Sequence, residues 1–252
     1  MAQLIALLTD FGYRDYYVGA LKGVIKQEAP EAEIVDITHG ITPFSIWEGA
    51  FSLYFAFNYF PPGTVFLGVV DPGVGTGRRI LFAEVEGKRL VGPDNGLFYP
   101  ILKERKAAFI KAVDTSKFSS SYTFQGRDIM ARVAARLASG IPVDGFPISR
   151  ITPLRGWSFI RSCRGSCEAK VIYVDAFGNL ITNMRSDAFR IGKAKIRLNG
   201  QEAEAVLSKN YSKEGVLLVP GGYGLIEISI GKDSAEKRFG AKIGSVVTIE
   251  KI

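Results

Sequence analysis

Three aspartates stand where an apolar run gives way to a glycine turn. Asp10 follows Leu4-Ile5-Ala6-Leu7-Leu8-Thr9 and opens Asp10-Phe11-Gly12. Asp71 follows Val65-Phe66-Leu67-Gly68-Val69-Val70 and opens Asp71-Pro72-Gly73. Asp175 follows Val171-Ile172-Tyr173-Val174 and opens Asp175-Ala176-Phe177-Gly178. Short apolar runs bounded by Gly or Pro read as buried strands. An open α/β sheet holds its ligand beyond the carboxyl ends of its strands. A carboxylate there, with a glycine admitting close backbone, suits a ligand hydroxyl or amine, and three such ends suggest a site built from strand termini.

The sharpest of the three is Asp71, in Asp71-Pro72-Gly73-Val74-Gly75-Thr76-Gly77-Arg78-Arg79. Pro72 fixes one torsion and the glycines permit unusual ones, so the loop can fold its arginines back onto the aspartate. An Asp–Arg pair fixes the carboxylate geometrically and favours its charged form. The same glycines could cradle a phosphate, but the loop has neither the Lys-Ser/Thr of a P-loop nor a G-x-G-x-x-G pattern. Asp15, Asp94 and Asp128 also lie near Gly or Pro, where Asp is common as a turn or cap residue. His39 is the single histidine, so it reads as structural and no Ser-His-Asp arrangement can be built. Cys163 and Cys167 are the only cysteines, too few ligands for a structural zinc. A tight turn could join them; two free thiols is the plainer expectation.

These residues need elements to hold them. The first half alternates strand and helix signals: helical spacing over Asp15–Gln27, a strand over Glu33–Ile37, and a helix over Ser45–Tyr59 with Ser45 as cap and Glu48 three residues on. A strand over Thr64–Val70 and a hairpin about Gly87-Lys88 follow, then the Gly92–Gly96 loop and a helix over Arg127–Ala138 ended by Gly140. Such alternation predicts an α/β domain, residues 1–155, with a mostly parallel sheet flanked by helices. After Gly165 the pattern changes to short strands with Gly, Asn and Lys turns: Lys170–Val174, Ala194–Leu198, Glu202–Leu207, Gly215–Val219, Leu225–Ile230 and Ser245–Ile249. That predicts a smaller β-barrel, residues 164–252. Ile141–Trp157, rich in Pro and Gly, reads as the linker.

A chain of 252 residues that is 47% hydrophobic can bury a sizeable core. No apolar run is long enough to span a membrane. Met1-Ala2-Gln3 leads directly into a strand with no signal-peptide pattern, so a cytoplasmic protein is expected. The net charge of +7 is spread among acids and forms no basic helix with interleaved aromatics, so it reads as a solvated surface.

Five motifs in order resemble the S-adenosyl-L-methionine (SAM) hydroxide adenosyltransferases, relatives of fluorinase and chlorinase. They are Thr9-Asp10-Phe11-Gly12 with Asp15, Tyr17-Val18-Gly19 and Lys22-Gly23; Val70-Asp71-Pro72-Gly73-Val74-Gly75; Gly92-Pro93-Asp94-Asn95-Gly96; Gly126-Arg127-Asp128; and Asp175 with Phe177-Gly178-Asn179-Leu180 and Thr182-Asn183. The resemblance implies SN2 attack of water on the ribose C5′ of SAM, giving adenosine and L-methionine. It implies no cofactor, SAM being the substrate, and no nucleic acid or membrane partner. It also implies a homotrimer whose sites lie between subunits. Carried over, Asp10 grips the ribose diol, Asp15 and Asp175 hold the methionine ammonium, Asn179 reads adenine and Phe44 packs on the ligand. Backbone around Gly222 meets the methionine carboxylate, and backbone at Ile230 and Lys232 meets adenine. The family's Asp–Arg–His triad maps onto Asp71 and Arg78, but Gln125 stands in the histidine position and Gly231 where Asn is frequent. Three explanations for Gln125 stay open: a slower hydrolase with Asp71 as base, a SAM- or adenosine-binding protein without turnover, or an engineered replacement. A SAM-dependent halogenase is a further alternative, disfavoured by the Asp-Pro-Gly-Val-Gly loop.

Overall fold

The computed structural model describes residues 4–189 and 192–252; Met1-Ala2-Gln3, expected to lead into the first strand, lies outside the described residues. The chain forms two compact units, Met1–Arg155 and Gly156–Ile252.

The first unit runs β1 (Leu4–Thr9), α1 (Tyr17–Glu28), β2 (Glu33–Thr38), α2 (Ile46–Ala56), β3 (Val65–Val69), β4 (Ile80–Val85), β5 (Lys88–Pro93), α3 (Tyr99–Glu104), β6 (Ala107–Val113), α4 (Ala131–Ala138) and β7 (Gly145–Pro147). The strands form one sheet in the order β2-β1-β3-β5-β4-β6-β7. Its β2-β1-β3-β5 half is parallel, and β4, β6 and β7 extend it by antiparallel pairing. The strands alternate sides, as a pleated strand must. Ile5, Leu7, Val65 and Leu67 pack in one core with Leu21 and Ile25 of α1 and Val133 and Leu137 of α4. Ala6, Leu8 and Phe66 pack in a second core with Leu53 of α2 and Ile101 of α3. Burial on both faces explains why these strands read as continuous apolar runs.

Details depart from the sequence expectations for local reasons. The hairpin turn is Glu86-Gly87, both at positive φ, the geometry of a two-residue turn. Lys88 instead enters β5, where its Nζ donates to the Phe57 carbonyl at 2.7 Å. Ser45 caps α2 by accepting from the Glu48 N–H, but the Glu48 carboxylate accepts from Thr42 N at 3.0 Å and closes no capping box. The expected helix over Arg127–Ala138 opens as a π-helical turn, Gly126–Met130, before α4. Part of the expected linker is built into the sheet: Gly145–Pro147 pairs with β6 as an edge strand, where proline is tolerated.

The second unit is a closed barrel of β8 (Ser166–Val174), β9 (Leu180–Arg185), β10 (Lys193–Leu198), β11 (Gln201–Leu207), β12 (Val216–Pro220), β13 (Leu225–Ile230) and β14 (Val246–Lys251), with α5 (Ala235–Phe239) before β14. The order is β10-β11-β12-β13-β9-β8-β14, and β14 closes on β10. Within the barrel β9 is the strand the sequence reading did not anticipate, as β6 and β7 are in the first unit. Cys163 and Cys167 form a disulfide, which corrects the plainer expectation of free thiols. The Arg164-Gly165-Ser166 turn brings their Cα atoms to 5.8 Å, within disulfide reach. Among the described residues no helix is long and apolar enough to cross a membrane.

β3 and β5 are neighbours, and where Gly92 faces Gly68 there is no room for a side chain. A Cβ on Gly92 would lie 2.3 Å from the Gly68 carbonyl oxygen and 2.8 Å from Phe98 Cε2. Gly92→Ala is expected to destabilise the protein by about 1–3 kcal/mol through overpacking. Equilibrium urea unfolding checks this; an unchanged midpoint would contradict the close approach.

Candidate active site

Adjacent parallel strands β1 and β3 are in register, Thr9 opposite Val69, so their carboxyl ends deliver Asp10 and Asp71 side by side. Both line a cleft of roughly 590 Å³ with Phe11, Asp15, Tyr16, Tyr17, Pro43, Phe44, Val74, Thr123 and Phe124 among its walls. The loop after β3 folds as its composition suggested. Arg78 Nε donates to Asp71 Oδ1 at 3.0 Å and to Oδ2 at 2.9 Å, and Nη2 also donates to Oδ2. The two side chains are only 11% and 5% exposed, so the pair is a nearly dry, forked ion pair. Gly75, at φ 77°, carries the loop past the Tyr122 carbonyl, which a Cβ would approach to 2.7 Å.

The next arginine serves a different carboxylate. Arg79 Nε donates to Asp94 Oδ2 at 2.9 Å, and Asp94 Oδ1 accepts from Thr152 N at 2.8 Å. Asp94 is thereby a buried tie to the segment after β7, outside the cleft. Asp128 is likewise structural: it caps Ser121 through both N–H and hydroxyl at 2.8 Å and pairs with Arg127.

Asp10 is held by Phe44, whose N–H donates to Oδ2 at 2.8 Å. Phe44 itself sits at φ 69°, an uncommon conformation for a bulky residue and one that concentrates at functional sites. Phe44 is 70% exposed and lines the cleft. Burial raises the Asp10 pKa above the usual carboxylate value; the Phe44 N–H opposes that rise and the neighbouring Asp71 charge adds to it. Asp15 is exposed on the wall. Phe11, Tyr17 and Phe124 pack edge to face with centroids 5.3–5.9 Å apart, giving the cleft an aromatic floor. Gln125 lies between two cleft-lining residues, Phe124 and Gly126, and its buried Oε1 has no hydrogen-bond partner. Gln125 itself is not among the cleft walls, and the oxygen is an unpaired acceptor enclosed beside them.

The third expected strand end belongs to the barrel rather than to the parallel sheet. Asp175 closes the β8–β9 turn: Oδ1 accepts from Phe177 N and Asn179 N at 2.9 Å, and Oδ2 accepts from Asn179 Nδ2 at 2.8 Å. The Asn179 amide is therefore oriented, with Nδ2 on Asp175. Asp175, Asn179, Ile230 and Lys232 line a second cleft, of roughly 660 Å³, with Phe177, Tyr211, Asp233, Ser234 and Lys237. Gly222 is exposed in the β12–β13 turn and is not among these walls. Tyr211 was not legible in the sequence, because it sits in a polar loop with no pattern around it. Its hydroxyl donates to Glu227 at 2.7 Å, and burial together with that carboxylate raises the phenol's pKa. Glu227 is 3% exposed; burial raises its pKa, Tyr211 lowers it and Asp175 adds to the rise. Among the described residues no cluster of His, Cys, Asp and Glu could hold a metal ion.

Against known proteins, the chain is 35% identical over 249 residues to the (R)-S-adenosyl-L-methionine hydrolase of Methanocaldococcus jannaschii, covering 93% of this chain and 90% of that one. It is 33% identical to the protein of the same name from Thermus thermophilus, covering 97% and 98%. Its fold is similar to the crystal structure of an uncharacterized conserved protein from Thermotoga maritima, with a TM-score of 0.90 and 33% identity over 98% of this chain and all of the other. Residues 5–146 match the model of the SAM hydroxide adenosyltransferase N-terminal domain and residues 169–248 that of the C-terminal domain. With both of its units matched, the chain belongs to the SAM hydroxide adenosyltransferase family.

Proposed function

We propose that the protein hydrolyses S-adenosyl-L-methionine, in its (R)-sulfonium form, to adenosine and L-methionine. The observation that carries this reading is the dry Asp71–Arg78 pair set beside Asp10, in a chain whose near full-length relatives are named for that hydrolysis. A water oxygen attacks C5′ as the C5′–S bond breaks, and the bonding pair goes to sulfur. The sulfonium becomes the neutral thioether of methionine, and the water's surplus proton passes to Asp71 or solvent. Because the leaving group is already cationic, the protein's task is to aim a poorly hydrated nucleophile in line. Asp71, fixed by Arg78, accepts one water hydrogen, and a turn of the Gln125 side chain toward the cleft brings its Oε1 to the other; neither step needs a cofactor.

On this reading Asp10 takes the ribose hydroxyls and Phe44 closes over the sugar. Asp15 and Asp175 meet the methionine ammonium. Asp175 already accepts three hydrogen bonds from its own turn, so it contributes mainly charge. The oriented Asn179 reads adenine beside the backbone of Ile230 and Lys232, and backbone at Gly222 receives the methionine carboxylate. A homotrimer, with one subunit's first cleft completed by another subunit's second, belongs to the same proposal, as does a cytoplasmic location.

Incubation with SAM in ¹⁸O-water is expected to give adenosine with one ¹⁸O at the 5′ oxygen, read by mass spectrometry. Intact SAM, or a 5′-halogenated nucleoside on adding chloride or fluoride, would overturn the reading. Asp71→Asn is expected to lower kcat by about 10²-fold or more, as loss of a positioned base does. Asp10→Ala should act mainly through KM, and unchanged kinetics in both would remove their roles. Gln125→His should raise kcat by supplying a titratable acceptor, with a new limb in the pH profile near the usual imidazole value; an unchanged rate and profile would take Gln125 out of the mechanism. Light scattering should give three times the 27.5 kDa chain mass, and a fully active monomer would contradict the shared site.

A further inference from the structure

The mechanism makes no use of the single histidine, yet His39 is fully buried at the end of β2, directly behind the Asp10 turn. Its Nδ1 lies 2.8 Å from Thr9 Oγ1, and that hydroxyl oxygen also accepts from Phe11 N at 3.2 Å. Its carbonyl oxygen accepts from Gly12 N at 2.8 Å. Residues on both sides of Asp10 are thus tied to one side chain and its own peptide. On the far side of the ring, Nε2 lies 3.1 Å from Asp36 Oδ1, close to the carboxylate though not well aligned for a hydrogen bond. Asp36 Oδ2 accepts from Lys22 Nζ at 2.6 Å and from Tyr13 Oη at 3.1 Å. The Tyr13 ring packs edge-on against the imidazole with centroids 5.2 Å apart.

This arrangement selects one tautomer. A hydrogen on Nε2 faces the Asp36 carboxylate, whereas a lone pair there would face it repulsively. Nδ1 is then the acceptor, Thr9 O–H donates to it, and the Thr9 oxygen lone pairs are free for Phe11 N–H. Burial lowers the His39 pKa and Asp36 only partly opposes that, so the ring stays neutral at neutral pH.

We propose that His39 is a positioning residue for Asp10: as the neutral Nε2–H tautomer, backed by Asp36 and Lys22, its ring fixes the Thr9 hydroxyl that receives Phe11 N–H, and so sets where the carboxylate between them meets the ribose diol. The ribose part rests on the hydrolase reading; the clamp on Asp10 does not.

Two amides separate the ring's two contacts. An Asn amide reaches about as far as Nδ1 and can keep the Thr9 acceptor, while a Gln amide reaches toward Nε2 and keeps the Asp36 side. In His39→Gln the Asp10 carboxyl, followed by ¹³C NMR titration, is expected to fall toward the ordinary carboxylate pKa as it swings into solvent. In the same protein kcat/KM for SAM is expected to fall about tenfold to a hundredfold, the scale of a misplaced contact group. His39→Asn should retain the Asp10 titration and lose much less activity at a similar melting temperature. If His39→Gln does not fold, Thr9→Val removes the same hydroxyl with little change of shape and should reproduce the Asp10 shift. An Asp10 titration unchanged in His39→Gln or Thr9→Val would overturn the clamp, as would equal activity losses in both His39 variants that track their melting temperatures. Should the unmutated protein release no adenosine, the hydrolase reading fails while the Asp10 titration still decides the role of His39.

Discussion

A carboxylate that is nearly out of water is tolerable only when a partner meets it, and here Arg78 meets Asp71. Removing one member of such a buried pair costs about 3–5 kcal/mol, because the other charge is left uncompensated. That cost makes the pair a constraint on everything around it. The loop from Asp71 to Arg78 must return on itself, β3 must end where Asp71 can receive the guanidinium, and β4 must start immediately after. The parallel register of β1 and β3 then places Asp10 next to the pair, and the charge of Asp71 adds to the forces on its neighbour. The rest of the first unit is the scaffolding this geometry requires: two apolar cores that hold the sheet from both faces.

Much of this was legible because it is local. The Gly-rich loop, its arginines and the apolar runs before Asp10 and Asp71 are contiguous in sequence, and their physics depends little on distant residues. The α/β and barrel character followed from the change of pattern near Gly165. What was not legible is non-local. Asp94 shares its turn chemistry with Asp10, and only the fold sends it to Arg79 and Thr152 instead of the cleft. Tyr211 becomes a cleft wall through its hydrogen bond to Glu227, sixteen positions away. Leu180–Arg185 read as part of a motif because its polar Thr182 and Asn183 hide a barrel strand in which both side chains are buried. Gly145–Pro147 read as linker because an edge strand tolerates the residues that elsewhere mark flexibility.

His39 shows how a correct reading by elimination can be incomplete. With no second histidine it looked structural, and it is buried and neutral as a structural residue should be. Its placement gives that role a direction, however. The groups it holds are the neighbours of Asp10, and the carboxylate that faces it, Asp36 on β2, is itself held by Lys22 on α1. A turn that must hold a half-buried carboxylate at the cleft is thereby braced from the interior of the domain.

Arg78 and Arg79 are consecutive, yet one grips Asp71 and the other Asp94. The second grip is locked to the sheet, since β4 pairs with β5 from Ile80 opposite Pro93 and Asp94 N donates to the Arg79 carbonyl. The hairpin therefore fixes which arginine faces which aspartate. Inserting or deleting a single residue between Pro72 and Gly77 would either pull β4 out of step or present Asp71 with the wrong partner. Thr76 holds the span to that length from within, its hydroxyl donating to the Gly73 carbonyl at 2.6 Å, so the loop and the hairpin that follows behave as one unit of fixed length.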